Sequence, residues 1–175
     1  MAAAEERGTP EALWLLARCY QLGNHPEAKK NLIKAFGLYL RAAEKGFAVA
    51  QCSVGDCYFE GWGTSVSLTK AVDHYRLAAN QGYVRAFEAL ADVYFEGAGL
   101  PQSYNKALEY YTLAAGKGSA SAAVSLGSMY FEGWGVTKDL KRSCDYYKMA
   151  ADQNHAEAQN YYADCLFLGK GKRHP

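Results

Sequence analysis

The hexapeptide "YFEGWG" occupies residues 58–63, returns as "YFEGAG" at 94–99, and returns again as "YFEGWG" at 130–135. Tyr58, Tyr94 and Tyr130 are thus 36 residues apart, and no other feature limits the fold so tightly. Self-similarity with a period of about 20–50 residues marks a stacked array, each unit of which is one supersecondary element. The period reaches beyond the hexapeptide. Tyr39, Tyr75, Tyr111 and Tyr147 obey it, as do Ala43, Ala79, Ala115 and Ala151, and as do Gly46, Gly82 and Gly118 with Asn154 in fourth place. Tyr20 precedes Tyr58 by 38 residues, so the first unit carries two extra residues, placed in its loop "GNHPEAKKN".

Each unit reads as two helices. Ala50, Val54, Gly55 and Tyr58 recur as Ala86, Leu90, Ala91 and Tyr94, then as Ala122, Leu126, Gly127 and Tyr130. Steps of four, one and three put these on one helical face. In the second helix Ala71 and Tyr75 recur as Ala107 and Tyr111, then as Ser143 and Tyr147. Asn31, Ser67, Ser103 and Asp139 open the second helices, and their side-chain oxygens suit an N-cap. Gly46, Gly82, Gly118 and Asn154 close them, and Gly23, Gly61, Gly97, Gly133 and Gly169 are expected to close the first helices. A helix pair of this size cannot bury its apolar face alone; stacking the pairs makes a continuous core.

These residues resemble the Sel-1-like repeat, a relative of the tetratricopeptide repeat, with the pattern A-x-A-x-x-x-L-G-x-x-Y-x-x-G-x-G-V, then D-x-x-K-A, then an aromatic and A-A-x-x-G. The fourth unit fits best, through Ala120, Ala122, Leu126, Gly127, Tyr130, Gly133, Gly135, Val136, Asp139, Tyr147, Ala150 and Ala151. The first unit departs with "GNHP" where the second loop glycine belongs, and the last has Tyr162 for the leucine and Leu166 for the tyrosine. The resemblance implies an all-α, right-handed α-solenoid whose first helices line a concave groove. It also implies an adaptor that assembles proteins. The whole chain, 1–175, is expected to be one such domain, with repeats at about 10–47, 48–83, 84–119 and 120–155 and a half repeat at 156–171.

The chemistry read from the residues agrees with a chain that is not an enzyme and holds no cofactor or metal. His25, His74, His155 and His174 fall at unrelated repeat positions, and no phosphate-loop, dinucleotide or nucleophile-elbow motif occurs. The glycine-rich turns recur at each unit, so helix termination accounts for them. The net charge is +1, from 19 basic and 18 acidic residues, which gives no electrostatic footprint for nucleic acid or an anionic membrane. No apolar run approaches the roughly 18–20 residues of a membrane span, and "MAAAEERGTPEA" is unlike a secretory leader. Cys19, Cys57 and Cys165 share a column with Val93 and Met129, and Cys144 shares one with Phe36, Val72 and Leu108. The five cysteines therefore read as packed thiols, which favours a reducing compartment, the cytoplasm first, and leaves a processed or organellar location open. Cysteine-rich bacterial relatives with one disulfide per repeat were linked to penicillin binding, but the paired cysteines are missing here. A hydrolase-like or ligand-binding protein is the alternative from another class, and an RNA-binding helical repeat, which needs a basic groove, is the third.

A protein partner then needs a surface. Positions 49, 53, 56 and 60 and their column-mates lie opposite the core residues, and carboxylates gather toward the helix C-termini, where the macrodipole disfavours them. Glu60, Glu96 and Glu132 are each followed ten residues later by Lys70, Lys106 and Arg142, an expected local ion pair. Asp56, Asp92 and Asp164 have no such mate in the sequence, so they are candidates for binding a basic or polar segment. Trp62 and Trp134, in turns that rarely need tryptophan, are either half-buried caps on a neighbouring repeat or binding anchors. Phe167 and Leu168 end the apolar run Cys165-Leu166-Phe167-Leu168, which no second helix follows. An unmet apolar patch is expected there, to be filled by a partner, a second copy or further repeats. The other reading is that this helix rotates to bury the run against repeat four.

Overall fold

The computed structural model describes residues 8–24 and 29–171, with side chains through Phe167. Among the described residues there are nine helices and no strand: α1 (Pro10–Leu22), α2 (Leu32–Glu44), α3 (Ala48–Glu60), α4 (Leu68–Asn80), α5 (Val84–Glu96), α6 (Tyr104–Gly116), α7 (Ala120–Glu132), α8 (Leu140–Ala151) and α9 (Ala156–Gly171). This is an all-α helical-repeat solenoid fold, as the periodic columns require. No helix among the described residues is long and apolar enough to cross a membrane.

The helix ends follow from the punctuation. Asn31, Ser103 and Asp139 accept from the backbone N–H three residues on, satisfying one of the free donors at the start of α2, α6 and α8. Ser67 is the N-cap of α4 in extended backbone but makes no side-chain cap hydrogen bond. Gly23, Gly61, Gly97 and Gly133 stop α1, α3, α5 and α7 at φ of +66°, +76°, +77° and +81°. Asn154 is the one non-glycine with positive φ among the described residues, at +62°, in the column that elsewhere holds Gly46, Gly82 and Gly118. Gly169 breaks the pattern. It was expected to stop its helix, but α9 runs through it to Gly171. The earlier stops are held by a second helix that follows at once, as where Ser67 N–H donates to the Tyr58 carbonyl. No second helix follows α9 among the described residues.

Packing divides the chain into two units. One comprises Met1–Ala86 with Ala98–Leu100, and its core includes Leu13, Ala17, Tyr39, Ala42, Ala50 and Val54. Here Gly63, at φ +73°, lies against the start of α2 so closely that an added Cβ would overlap the Leu32 carbonyl. The second glycine of the turn is thus fixed by close backbone approach as well as by φ. The other unit comprises Phe87–Gly97 with Pro101–Pro175, and Leu90, Val93, Tyr111, Leu126, Met129 and Ala150 are buried in it. Gly135, at φ +71°, repeats the close approach against Tyr104.

Candidate protein-binding site

The expected site residues fall into different environments. Asp56, on α3, accepts hydrogen bonds from Tyr75 Oη (3.0 Å) and Arg85 Nη2 (2.9 Å), and its side chain is only 18% exposed. Asp92, on α5, accepts from Tyr111 Oη at 2.5 Å. One unit further on, Ser128 and Tyr147 share a hydrogen bond of 3.1 Å. Asp56 and Asp92 lack the cation ten residues on that the glutamates have, but they do not lack partners. Each meets the hydroxyl of the tyrosine 19 residues later, on the second helix of its own pair. At Gly55 the Tyr75 ring packs so close that a Cβ would sit 2.5 Å from it, whereas the next unit makes the same crossing over Ala91. Burial raises the Asp56 carboxyl above its usual value, with Arg85 and the Tyr75 hydrogen bond opposing; burial also raises Asp92, opposed by Tyr111. Both tyrosines are pushed upward, by burial first and by their aspartates next. Asp56 and Asp92 thus already hold hydrogen-bond partners within the chain.

The expected ion pairs are corrected. Lys70, Lys106 and Arg142 hold their charges 5.2, 4.9 and 5.5 Å from the ring centroids of Tyr58, Tyr94 and Tyr130, and Lys34 sits 4.4 Å from that of Tyr20. The tyrosine lies on the last turn of the first helix, facing the second, so its ring meets the cation before the glutamate two residues later can. The negative ring face is worth about 0.5–1 kcal/mol to an exposed cation. Glu132 instead lies 3.8 Å from Lys138, with both side chains largely exposed.

Trp62 and Trp134 are each 37% exposed. Trp134 packs edge-on against Phe95 (5.1 Å between centroids) and stacks on Tyr104 (6.4 Å), so it covers the phenylalanine of the preceding "YFEG". The capping role thus accounts for part of Trp134, and over a third of its surface stays open. At the C-terminal end Cys165 is buried, but Leu166 is 48% and Phe167 80% exposed. Among the described side chains of this run, the alternative in which α9 turns to bury it holds only for Cys165. Leu168 lies outside the residues whose side chains are described.

Phe167, Trp134 and Asp164 come together in one place. A cleft of about 500 Å³ opens in the second unit beside α7, α8 and α9. Tyr147 and Cys165 are its buried members; Phe131, Trp134, Tyr161 and Phe167 are its exposed aromatic walls; Glu132 and Asp164 supply carboxylates. Tyr161 is held in place by its ring contact with Tyr147 (4.9 Å) and by donating to Glu157 Oε1 (2.8 Å). Sequence reading named Phe167, Trp134 and Asp164 separately and put Tyr161 in a groove-facing column without naming it a binding residue, but missed Phe131. The signal lay in the columns. The residue one unit beyond Phe95 that covers it is Trp134, and its column-mate beyond Phe131 is Lys170.

The cleft has no activated nucleophile among the described residues. Burial pushes the Cys165 thiol up to about 12, with Cys144 and Asp164 adding to the shift. Cys57 is likewise pushed up to about 12 by burial and by Asp56. A thiol so raised is almost wholly protonated at neutral pH and a poor nucleophile. No group of three or more His, Cys, Asp or Glu side chains that could hold a metal occurs among the described residues.

Comparison with curated proteins finds no match. Among solved structures, a protective antigen of uropathogenic Escherichia coli strains displaying an SLR fold is 33% identical, with a TM-score of 0.88 over 95% of this chain and 35% of that one. A Sel1 repeat protein from Oxalobacter formigenes is 38% identical, with a TM-score of 0.80 over 89% of this chain and 63% of that one. This chain therefore spans about a third and somewhat under two thirds of the length of these two neighbours. The cysteine-rich protein B of Helicobacter pylori, at 22% identity and a TM-score of 0.60, shares the fold. The Sel1 repeat profile matches residues 10–47, 48–83, 88–119, 120–155 and 156–174, and with the two neighbours above 30% identity it shows that the chain belongs to the Sel1 repeat family.

Proposed function

We propose that this chain is a non-catalytic protein-interaction scaffold and that the aromatic cleft beside α7 and α9 is where a protein segment docks. The observation that carries the reading is the exposure of four aromatic side chains, Phe131, Trp134, Tyr161 and Phe167, around one cleft. Aromatic side chains in a pocket with a polar rim are what interface hot spots are made of. Membership of a family whose repeats generally serve as protein-interaction modules supports it, and the raised thiols of Cys57 and Cys165 weigh against cysteine chemistry. The fold alone does not name a partner.

Site-specific photo-crosslinking tests the reading. A photoreactive phenylalanine replaces Tyr161 in one variant and exposed Leu77 in another, and each is irradiated in the native host. The captured protein is then purified and its affinity measured directly. The Tyr161 variant should capture a partner that the Leu77 variant does not. The purified pair should bind saturably, and Phe167→Ser should weaken it at least about tenfold, or 1.4 kcal/mol. The same substitution should change unfolding free energy by less than about 0.5 kcal/mol, since Phe167 is 80% exposed. Equal capture at both positions, or an affinity indifferent to Phe167→Ser, contradicts the reading.

A further inference from the structure

The composition of the cleft specifies what it takes. Four exposed aromatic side chains, Phe131, Trp134, Tyr161 and Phe167, present π-faces and ring edges to a space that also carries Glu132 and Asp164. No lysine, arginine or histidine lines it among the described residues. A plain apolar anchor would make no use of the two carboxylates at the mouth. An anionic segment would be repelled. A cation on an apolar stem satisfies both features, because the stem covers ring surface while the charge meets ring faces and carboxylates.

The molecule already shows the same chemistry within itself. In four successive units a lysine or arginine lies over a tyrosine ring, at 4.4, 5.2, 4.9 and 5.5 Å from the centroid. The internal counterpart of the cleft is also informative. Over Phe95 the space is narrowed by Trp134, from the next unit, to a pocket of about 160 Å³. Around Phe131 the corresponding positions also carry two carboxylates, Glu132 and Asp164 in place of Glu96 and Asp92, but Asp92 is bound by the Tyr111 hydroxyl whereas Asp164 is exposed. The open cleft therefore differs from its counterpart in presenting an exposed carboxylate where the other has one already bound by a tyrosine hydroxyl. Glu132 has a present partner, Lys138, at 3.8 Å, but both side chains are largely exposed and an incoming charge can replace that pairing.

We infer that the occupant of this cleft is an arginine or lysine side chain presented by a protein segment, with arginine preferred. The guanidinium is planar, stacks on aromatic faces and forks onto carboxylates, whereas an ammonium is a compact, strongly hydrated charge. This inference rests on the reading of the cleft as a peptide site and adds the chemistry of the anchor.

Pools of short peptides with random flanks test it. The central residue is fixed in turn as arginine, lysine, citrulline, leucine or tryptophan, and each pool is passed over the immobilised whole chain. Citrulline keeps the shape of arginine and removes the charge. The arginine pool should be retained most, lysine next, and citrulline several-fold less. The Glu132→Gln/Asp164→Asn double variant should reduce retention of the arginine pool about tenfold and leave the leucine pool unaffected. Raising salt to about 0.5 M should narrow the arginine–citrulline gap. Both acids are exposed, so the variant should fold, which its circular dichroism and unfolding midpoint check. Retention of leucine or tryptophan pools equal to arginine overturns the inference and leaves the peptide-site reading standing. If no pool is retained better than on the Phe167→Ser variant, the peptide-site reading fails and the inference with it. Self-association of the whole chain that Phe167→Ser abolishes also overturns it, because a second copy then covers the cleft.

Discussion

Tyrosine does two jobs in each unit, and the column decides which. Tyr75 and Tyr111 cross from the second helix and donate to Asp56 and Asp92, whereas Tyr58, Tyr94 and Tyr130 offer a ring to a cation. These last three also stack on a neighbour one column over: Tyr94 on Tyr110 (5.8 Å), Tyr130 on Tyr146 (5.6 Å) and Tyr58 on His74 (5.7 Å). His74 thus stands where the next two units have tyrosine. Its Nδ1 is buried without a hydrogen-bond partner, and burial lowers its pKa, with Lys70 adding to the shift and Asp73 opposing it. A histidine depressed in the folded state takes up its proton first in the unfolded chain. Its contribution is therefore intact above the unfolded value of about 6.5 and is lost as pH falls through the folded one. Urea unfolding at pH 7.5 and 5.5 should show a larger loss of stability on acidification for the native chain than for His74→Tyr, which copies the other units. Equal losses would mean that His74 titrates as an exposed group. Column identity made the tyrosines legible in the sequence. Their partners were not, because a hydroxyl reaching 19 residues back depends on how two helices cross.

At the scale of the element, the helix starts and stops were the most legible part of the fold. Cap residues act within one turn, so Asn31, Ser103 and Asp139 on one side and Gly61, Gly97 and Gly133 on the other could be read locally. Ser67, which caps by position only, and Gly169, which α9 passes through, mark the limit of that logic, since each depends on what the neighbouring chain does. The turns add a tertiary demand that no local pattern announces. Gly46, at φ +82°, has open space around it, and Gly63, at φ +73°, abuts the Leu32 carbonyl. Gly46→Ala should therefore cost only the left-handed strain, about 1–2 kcal/mol. Gly63→Ala should add an overpacking cost of about 1–3 kcal/mol to it. Chemical denaturation of both variants checks the order. Equal costs would show that the turn does not need the close approach.

Across the whole molecule, the sequence is most informative where units agree and the candidate site lies where they stop agreeing. Agreement over the repeats identified the all-α fold and the family, because full columns of matching residue types satisfy one geometry many times over. It could not identify the cleft, which forms where Phe131, Trp134, Tyr161 and Phe167 meet, a set that no earlier unit repeats. The even balance of 19 basic and 18 acidic residues also hides the local excess of carboxylate that Glu132 and Asp164 bring to one aromatic cleft. Whole-chain charge describes solubility and steering, and a site is described only by what lines it. The three tryptophans give a direct test of where a segment binds, since Trp14 lies on α1, Trp62 in the turn after α3, and Trp134 in the cleft. The chain labelled with 5-fluorotryptophan should give one fluorine resonance for each, assigned by single Trp→Phe variants and followed during titration with the best-retained peptide. The Trp134 resonance should shift saturably while those of Trp14 and Trp62 stay in place. A titration that moves Trp14 or Trp62 and leaves Trp134 unmoved would contradict the account.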